Sequence, residues 1–364
     1  MNKYKICIYA ISKNESMFVD RWYESVKDAD KIYVLDTGST DNTVEKLKEK
    51  EKVIVKEEKI IPWRFDIARN KSLDMVDEDT DICICIDIDE VLLPGWRKNI
   101  EDVWEKDQNR LAYIYNWSLD KDNKPKVSFY YEKIHDRHNY KWTHPVHEVL
   151  TFTGNNIEKK KTTDKVVVNH YPDSTKSRGS YLPLLELSVE EDPTDDRNMH
   201  YLGREYMYYG KYNECIDTLI RHLGLPTATW RDERAASMRF IARSYKNLGR
   251  IEEAKMWLDK AMNEAPYLRD AYIERALLEY TLKNYKDVEK YCLEALKITS
   301  HAKTYINEVF SWDHTVYDLL SISTFYQGRK EEALYYVNKA LELSPKNERL
   351  LKNKEIITKS LEDK

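Results

Sequence analysis

Three acids close a run of apolar residues in "DICICIDIDEVLLPGW" (81–96). Ile82 to Ile86 is apolar at every position, which predicts a central strand covered on both faces. Asp87, Asp89 and Glu90 then follow abruptly. A period of two puts Asp87 and Asp89 on one face at the end of that strand. Two carboxylates are expensive there unless they meet a cation, and hard oxygen ligands suit Mg²⁺ or Mn²⁺. The same acids can instead cap a turn or a helix.

Four further clusters carry polar side chains on apolar frames. In "YVLDTGSTDNT" (33–43) a strand ends at Asp36, where a base or ribose would meet a sheet edge, and Asp41 can cap a helix starting near Thr43. In "WRFDIARNKSL" (63–73) Arg69 and Asn70 form a polar patch on an amphipathic helix, either a ligand surface or a solvated face. "YKWTHPVHEVL" (140–150) offers His144, His147 and Glu148. There Glu148, or His147, can act as a general base, and the imidazoles can equally be packed and satisfied by backbone. In "VVVNHYPDSTKSRGSY" (166–181) a strand ends at His170, and Lys176 and Arg178 follow. Those two cations can clamp an anion or belong to a linker.

Two kinds of element must position these groups. Up to about residue 180, short apolar runs alternate with helical patterns. Ile6 to Ile11, Lys31 to Leu35, Val53 to Val55 and Ile82 to Ile88 predict strands, and Phe18 to Ala29, Thr43 to Glu51 and Phe65 to Val76 predict helices. That order gives an α/β, Rossmann-like, mostly parallel sheet with helices on both faces and a ligand site beyond the carboxyl ends of the strands. From about residue 197 the pattern is helical and repetitive. Ala242 and Ala261 recur 34 residues later as Ala276 and Ala295, and Gly249, Ala254, Ala261 and Pro266 recur as Gly328, Ala333, Ala340 and Pro345. An earlier copy carries Gly210 and Cys215. A 34-residue period with small residues at helix contacts is the tetratricopeptide signature, so four helix pairs should stack as a solenoid, with the tail beyond Pro345 as a capping helix. The expected boundaries are 1–180 and 181–364.

Composition excludes several alternatives. The chain has 364 residues and only nine glycines, spaced too widely for a G-x-G-x-x-G or G-x-x-x-x-G-K loop. Any diphosphate must therefore be neutralised by something other than a glycine cradle. A formal net charge of −5 argues against a nucleic-acid binder. No apolar run reaches the length of a membrane span, and the N-terminus reads as a strand rather than a signal peptide. The five cysteines fall without a C-x-x-C pair, which fits buried thiols and a cytoplasmic location. Trp230 and Trp312 lie in insertions between repeats and are candidate contact residues.

The motifs "IYAISKNE" (8–15), "VLDTGSTDNT" (34–43), "FDIARNKSL" (65–73), "ICIDIDEVL" (84–92) and "HPVHEVL" (144–150), in that order, resemble a family 2 glycosyltransferase of GT-A fold. With a tetratricopeptide tail the chain is similar to bacterial members that include the bacteriocin S-glycosyltransferases. The resemblance implies inverting transfer of a hexose from a nucleotide-sugar, usually a UDP-sugar, with Mn²⁺ or Mg²⁺ as cofactor. It implies that Ala10, Ile11 and Ser12 line the nucleotide with Glu15 nearby, that Asp36 contacts uracil or ribose, and that Arg69 approaches the base or diphosphate. Asp87-Ile88-Asp89 would be the D-x-D motif, Asp87 toward ribose and metal and Asp89 on the metal. A histidine on the last strand, here His170, would complete the metal shell, and Lys176 and Arg178 would clamp the diphosphate. Glu148 is the first choice of base and His147 the second. One departure is Thr37, where many relatives carry a second acid. The expected acceptor is a peptide or protein recruited by the repeats. Alternatives are a surface polysaccharide or lipid-linked glycan, or a scaffold whose first half only binds. A homodimer through the solenoid edge is compatible with either enzyme.

Overall fold

The computed structural model describes residues 3–173, 179, 181–301 and 304–362. The chain divides into two compact units, Met1–Ser188 and Val189–Lys364.

The first unit runs β1 (Ile6–Ser12), α1 (Val19–Val26), β2 (Lys31–Asp36), α2 (Thr43–Lys48), β3 (Val53–Glu57), α3 (Phe65–Asp74), β4 (Ile82–Cys85), β5 (Glu90–Leu92), α4 (Trp96–Val103), β6 (Arg110–Leu119), β7 (Pro125–His135), β8 (Tyr140–Thr143), β9 (Val149–Phe152), β10 (Lys160–His170) and α5 (Tyr181–Glu191). Eight strands form one sheet in the order β3-β2-β1-β4-β7-β6-β10-β5. The β3-β2-β1-β4 half is parallel, as is β6 with β10, whereas β7 and β5 enter antiparallel. The parallel half follows from the βαβ order of the sequence.

Strand β1 shows how the sheet is covered. Ile6, Ile8 and Ala10 point into a core with Trp22 of α1 and Trp96 and Ile100 of α4. Cys7 and Tyr9 point the other way, against Leu73 of α3 and Trp142 and Leu150 of the β8–β9 hairpin. Both faces are therefore dry, which explains the unbroken apolar runs. A buried hydrogen-bond chain ties the hairpin to the sheet. Trp142 Nε1 donates to Tyr9 Oη at 2.9 Å, and that hydroxyl lies 2.8 Å from His135 Nε2.

The second unit contains the helix pairs α6 (Asp196–Tyr208) and α7 (Tyr212–Gly224), α8 (Arg231–Asn247) and α9 (Ile251–Glu264), α10 (Asp270–Thr281) and α11 (Tyr285–Lys297), α12 (Thr315–Tyr326) and α13 (Lys330–Leu343), followed by α14 (Glu348–Glu362). Ala254, Ala261, Ala276, Ala295, Ala333 and Ala340 are buried, as their recurrence requires. Within three pairs the turn residue is Gly210, Gly249 or Gly328 at φ 73°, 75° and 82°. The third pair uses Lys283 at φ 60°. All four turns close the same way: in the third, Lys283 N donates to Tyr280 O and Asn284 N to Glu279 O, and in the second, Gly249 N to Lys246 O and Arg250 N to Tyr245 O. Trp312 is held between Arg269, 3.8 Å from its ring centroid, and the stacked His301 ring at 4.1 Å. Trp230 is 40% exposed and leans on Tyr305.

Candidate functional site

The carboxyl ends of β1, β2 and β4 bring the first clusters together. Strand β4 stops at Cys85, earlier than the expected strand to Ile88, because Asp87 O accepts Glu90 N at 2.9 Å and the chain turns. Asp87 and Asp89 therefore occupy a turn and not one face of a strand.

Asp87 is gripped by two cations. Arg69 Nη1 and Nη2 donate to its Oδ1 at 2.7 Å and Oδ2 at 3.0 Å, and Lys133 Nζ donates to Oδ2 at 3.0 Å. Burial alone would raise the Asp87 pKa, but the Arg69 and Lys133 charges outweigh it and hold the carboxyl well below its usual range. Lys133 also reaches Glu90 Oε1 at 3.2 Å, and Glu90 Oε2 accepts Asp87 N at 2.9 Å. Burial pushes Glu90 upward against the opposing pull of Lys133. Arg69 Nε donates to Glu148 Oε1. One guanidinium thus bridges the D-x-D turn and the loop after β8. Arg69 is 5% exposed, so the polar patch of α3 is an interior ion pair rather than a solvated face. Its neighbour Asn70 is also spent on structure. It donates to Trp142 O at 2.8 Å and accepts Trp142 N at 2.9 Å, pinning the hairpin to α3.

Asp89 meets His170. The pairing of β10 with β5 sets His170 opposite Glu90, and His170 Nε2 lies 3.4 Å from Asp89 Oδ2. His170 Nδ1 lies 3.0 Å from Trp117 O. Burial alone would lower the His170 pKa, but the Asp89 carboxylate facing Nε2 outweighs burial and raises it. With Nδ1 donating to the Trp117 carbonyl, a metal ion seated at Nε2 would displace the Nε2 proton.

Asp36 is 1% exposed and its carboxylate is fully engaged. It accepts Ser12 Oγ at 2.8 Å, Gly38 N at 3.0 Å, Ser39 N at 2.8 Å and Ser39 Oγ at 2.5 Å. Four donors fill the roughly four acceptor positions of a carboxylate. Asp36 therefore shapes the turn at the end of β2, where Gly38 adopts φ 112°. Glu15 N donates to Thr43 Oγ1 at 2.8 Å, which fastens the loop after β1 to α2.

Residues 7–167 match the model of Glycosyl transferase family 2. The first unit carries a family 2 glycosyl transferase domain. Residues 240–267 match a tetratricopeptide repeat model. No curated protein matches the chain. Among solved structures, MamA is 18% identical with a TM-score of 0.38, over 46% of this chain and 89% of that one. A thermophilic tetratricopeptide protein of Thermus thermophilus is 21% identical with a TM-score of 0.36, over 49% and 88%. The Cut9–Hcn1 hetero-tetramer of the APC/C is 13% identical with a TM-score of 0.40, over 50% and 33%.

Within the transferase domain the expected residues divide. Ser12 joins Asp36, Arg69 joins Asp87 and Glu148, and Asp89 joins His170. Ala10 and Ile88 have side chains buried in the sheet core at 0% and 1% exposure, so only their backbone can face a ligand. Ile11 is half-buried at the end of β1. His144 and His147 adopt φ 75° and 51°, two left-handed residues within one short loop. His147 packs edge-on to Tyr181 with ring centroids 5.7 Å apart. Lys176 and Arg178 lie outside the described residues. Lys133 is the residue that sequence reasoning missed. Simple alternation does not reveal it: Phe129 and Tyr131 pack with Tyr113 and Tyr115 on one face, and the β6–β7 register slips between Tyr131 and Ile134, which turns His135 to the other face toward Tyr9. Among the described residues, no helix is long and apolar enough to cross a membrane.

Proposed function

We propose that the chain transfers a hexose with inversion from a UDP-sugar to a peptide or protein acceptor recruited by the repeats. The meeting of Asp89 with His170, beside the cation-clamped Asp87, carries this reading. Asp89 and His170 fit a divalent ion of the Mn²⁺ or Mg²⁺ kind, which commonly takes one or two protein ligands and completes its shell with phosphate oxygens and water. Bound there, the ion supplies positive charge to the leaving diphosphate.

The chain's own residues do the rest. Asp87 has three acceptor positions filled by Arg69 and Lys133, which leaves one for a ribose hydroxyl. Ser12 and Asp36 hold the turn on which the nucleoside rests. Glu148, oriented by Arg69, takes the acceptor proton, with His147 as the second candidate. Lys176 and Arg178 stabilise charge on the leaving group. In the repeat unit, a groove of about 470 Å³ with a mostly apolar lining that includes Met207, Leu258, Leu277 and Phe310, and with Arg243 and Glu274 among its polar residues, offers a seat for an extended peptide.

The test is turnover of UDP-sugars with Mn²⁺ or Mg²⁺, with peptides and glycans compared as acceptors. Asp89→Ala should lose at least about 100-fold in rate while staying folded. Full activity of that variant would remove the metal assignment. A folded wild-type chain that neither binds nor turns over any nucleotide-sugar would overturn the whole reading.

A further inference from the structure

The repeat unit holds a buried ionisable cluster that sugar transfer does not use. Asp196 opens α6, His222 lies in the last turn of α7, and Glu233 lies in the first turn of α8. One ligand atom of each falls within 4.8 Å of the others. His222 is 0% and Glu233 3% exposed, whereas Asp196 is half-buried. His222 Nε2 faces Glu233 Oε1 at 3.5 Å and makes no hydrogen bond among the described residues.

The surrounding hydrogen bonds limit what His222 can do. Ser237 Oγ lies 3.0 Å from His222 Nδ1 and 2.7 Å from His200 Nδ1. A hydroxyl has one proton, so it serves one imidazole as donor and must accept from the other. If His222 gives its Nδ1 proton, its Nε2 lone pair points at a carboxylate oxygen. If Ser237 gives the proton to His222, the lone pair falls on His200 Nε2, which is buried and also lacks a hydrogen bond. Either way a buried nitrogen is left unsatisfied, at a cost of about 1–3 kcal/mol.

A cation between His222 and Glu233 gives the Nε2 lone pair of the first arrangement a partner, whereas His200 Nε2 lacks a hydrogen bond in both arrangements. Zinc–nitrogen and zinc–oxygen bonds of about 2.0–2.2 Å at a tetrahedral angle separate ligand atoms by about 3.3–3.6 Å. The 3.5 Å between His222 Nε2 and Glu233 Oε1 matches that separation. Outer contacts are also in place: Ser237 sits behind His222, and Tyr305 Oη donates to Glu233 Oε2 at 2.6 Å. Helix dipoles account for acids at two helix starts and an imidazole at a helix end. They do not account for three ligand atoms lying within 4.8 Å of one another with His222 Nε2 lacking a hydrogen bond.

We propose that Asp196, His222 and Glu233 bind a divalent transition ion of the zinc class, with Ser237 and Tyr305 as positioning residues. Three protein ligands leave one tetrahedral position for water on the Asp196 side. An ion held there ties α6, α7 and α8 together, so its binding adds to the stability of the repeat unit.

The experiment titrates the full-length chain with Co²⁺, a chromophoric substitute for Zn²⁺, and then displaces it with Zn²⁺. One equivalent with the visible bands of four-coordinate Co²⁺ is expected, and it should persist in Asp89→Ala, which separates it from the transferase domain. His222→Gln and Asp196→Asn should each weaken binding at least about 100-fold, and Ser237→Ala about 10–100-fold. Asp196 is half-buried, so Asp196→Asn covers the case in which His222→Gln does not fold. The proposal is overturned if Asp89→Ala binds no metal, or if binding survives unchanged in both His222→Gln and Asp196→Asn.

Discussion

The Lys133 ammonium lies 3.0 Å from Asp87 Oδ2, on a carboxylate that Arg69 already holds through both of its oxygens. Lys133 is 4% exposed and Glu90, its second partner, 2%. Removing the lysine leaves Glu90 and part of the Asp87 charge buried with one cation fewer. Lys133→Met should therefore lower stability by about 3–5 kcal/mol. Adding Glu90→Gln to that chain should restore part of the loss. Urea unfolding of the three proteins checks this, and an unchanged midpoint in Lys133→Met would rule out a structural ion pair.

Glu148→Gln keeps an oxygen that can accept from Arg69 Nε but removes the basic carboxylate. Donor binding should stay within a few-fold of wild type, while kcat falls by about 10²–10⁴. His147→Ala distinguishes the two candidates for the base: a comparable kcat loss there, with Glu148→Gln near wild type, would move the role to the imidazole.

Burial pulls the His135 pKa down to about 4 from an ordinary value of 6.5, against the opposing effect of the Asp136 carbonyl. The folded state therefore keeps this ring neutral at pH values where the unfolded chain protonates it. Its contribution is fully present above pH 6.5 and is lost as pH falls from 6.5 toward 4. A shift of that size corresponds to about 3 kcal/mol. His135→Gln should show a flatter loss of stability across that window, measured as urea midpoints at several pH values. Parallel curves for the two proteins would sink the assignment.

Lys283 occupies the left-handed turn position that glycine fills in the other three helix pairs. A left-handed conformation costs a residue with a Cβ about 1–2 kcal/mol, partly offset by the extra chain entropy of glycine. Lys283→Gly should stabilise the repeat unit by about 0.5–1 kcal/mol. Gly249→Lys should destabilise it by a similar amount. Thermal unfolding of both variants tests the pair, and a lower melting temperature for Lys283→Gly contradicts the argument.

These cases also mark where local sequence information ends. Helix pairs announce themselves through a fixed period and buried alanines, since each repeat solves the same packing problem. The third turn escapes that pattern because a lysine there closes the same two backbone bonds. Ile86 and Ile88 prolong an apolar alternation and are both buried, so the end of β4 at Cys85 leaves no compositional trace. It is set by the Glu90 N to Asp87 O bond. His170 is readable as a strand end, but its meeting with Asp89 depends on β10 pairing with β5, a contact between residues far apart in the sequence. The role of Asp36 was hidden for a different reason. A carboxylate at a sheet edge looks available to a ligand until its four neighbouring donors are counted.

Arg69 joins Asp87 on one side to Glu148 on the other. In the proposed reaction these two acids serve different substrates. If the two acids take those roles, a charge placed near either one would change the hold that the guanidinium keeps on the other, and donor and acceptor affinities would be linked through a single side chain. Linkage of this kind is reciprocal: whatever factor the donor applies to acceptor binding, the acceptor must return to the donor.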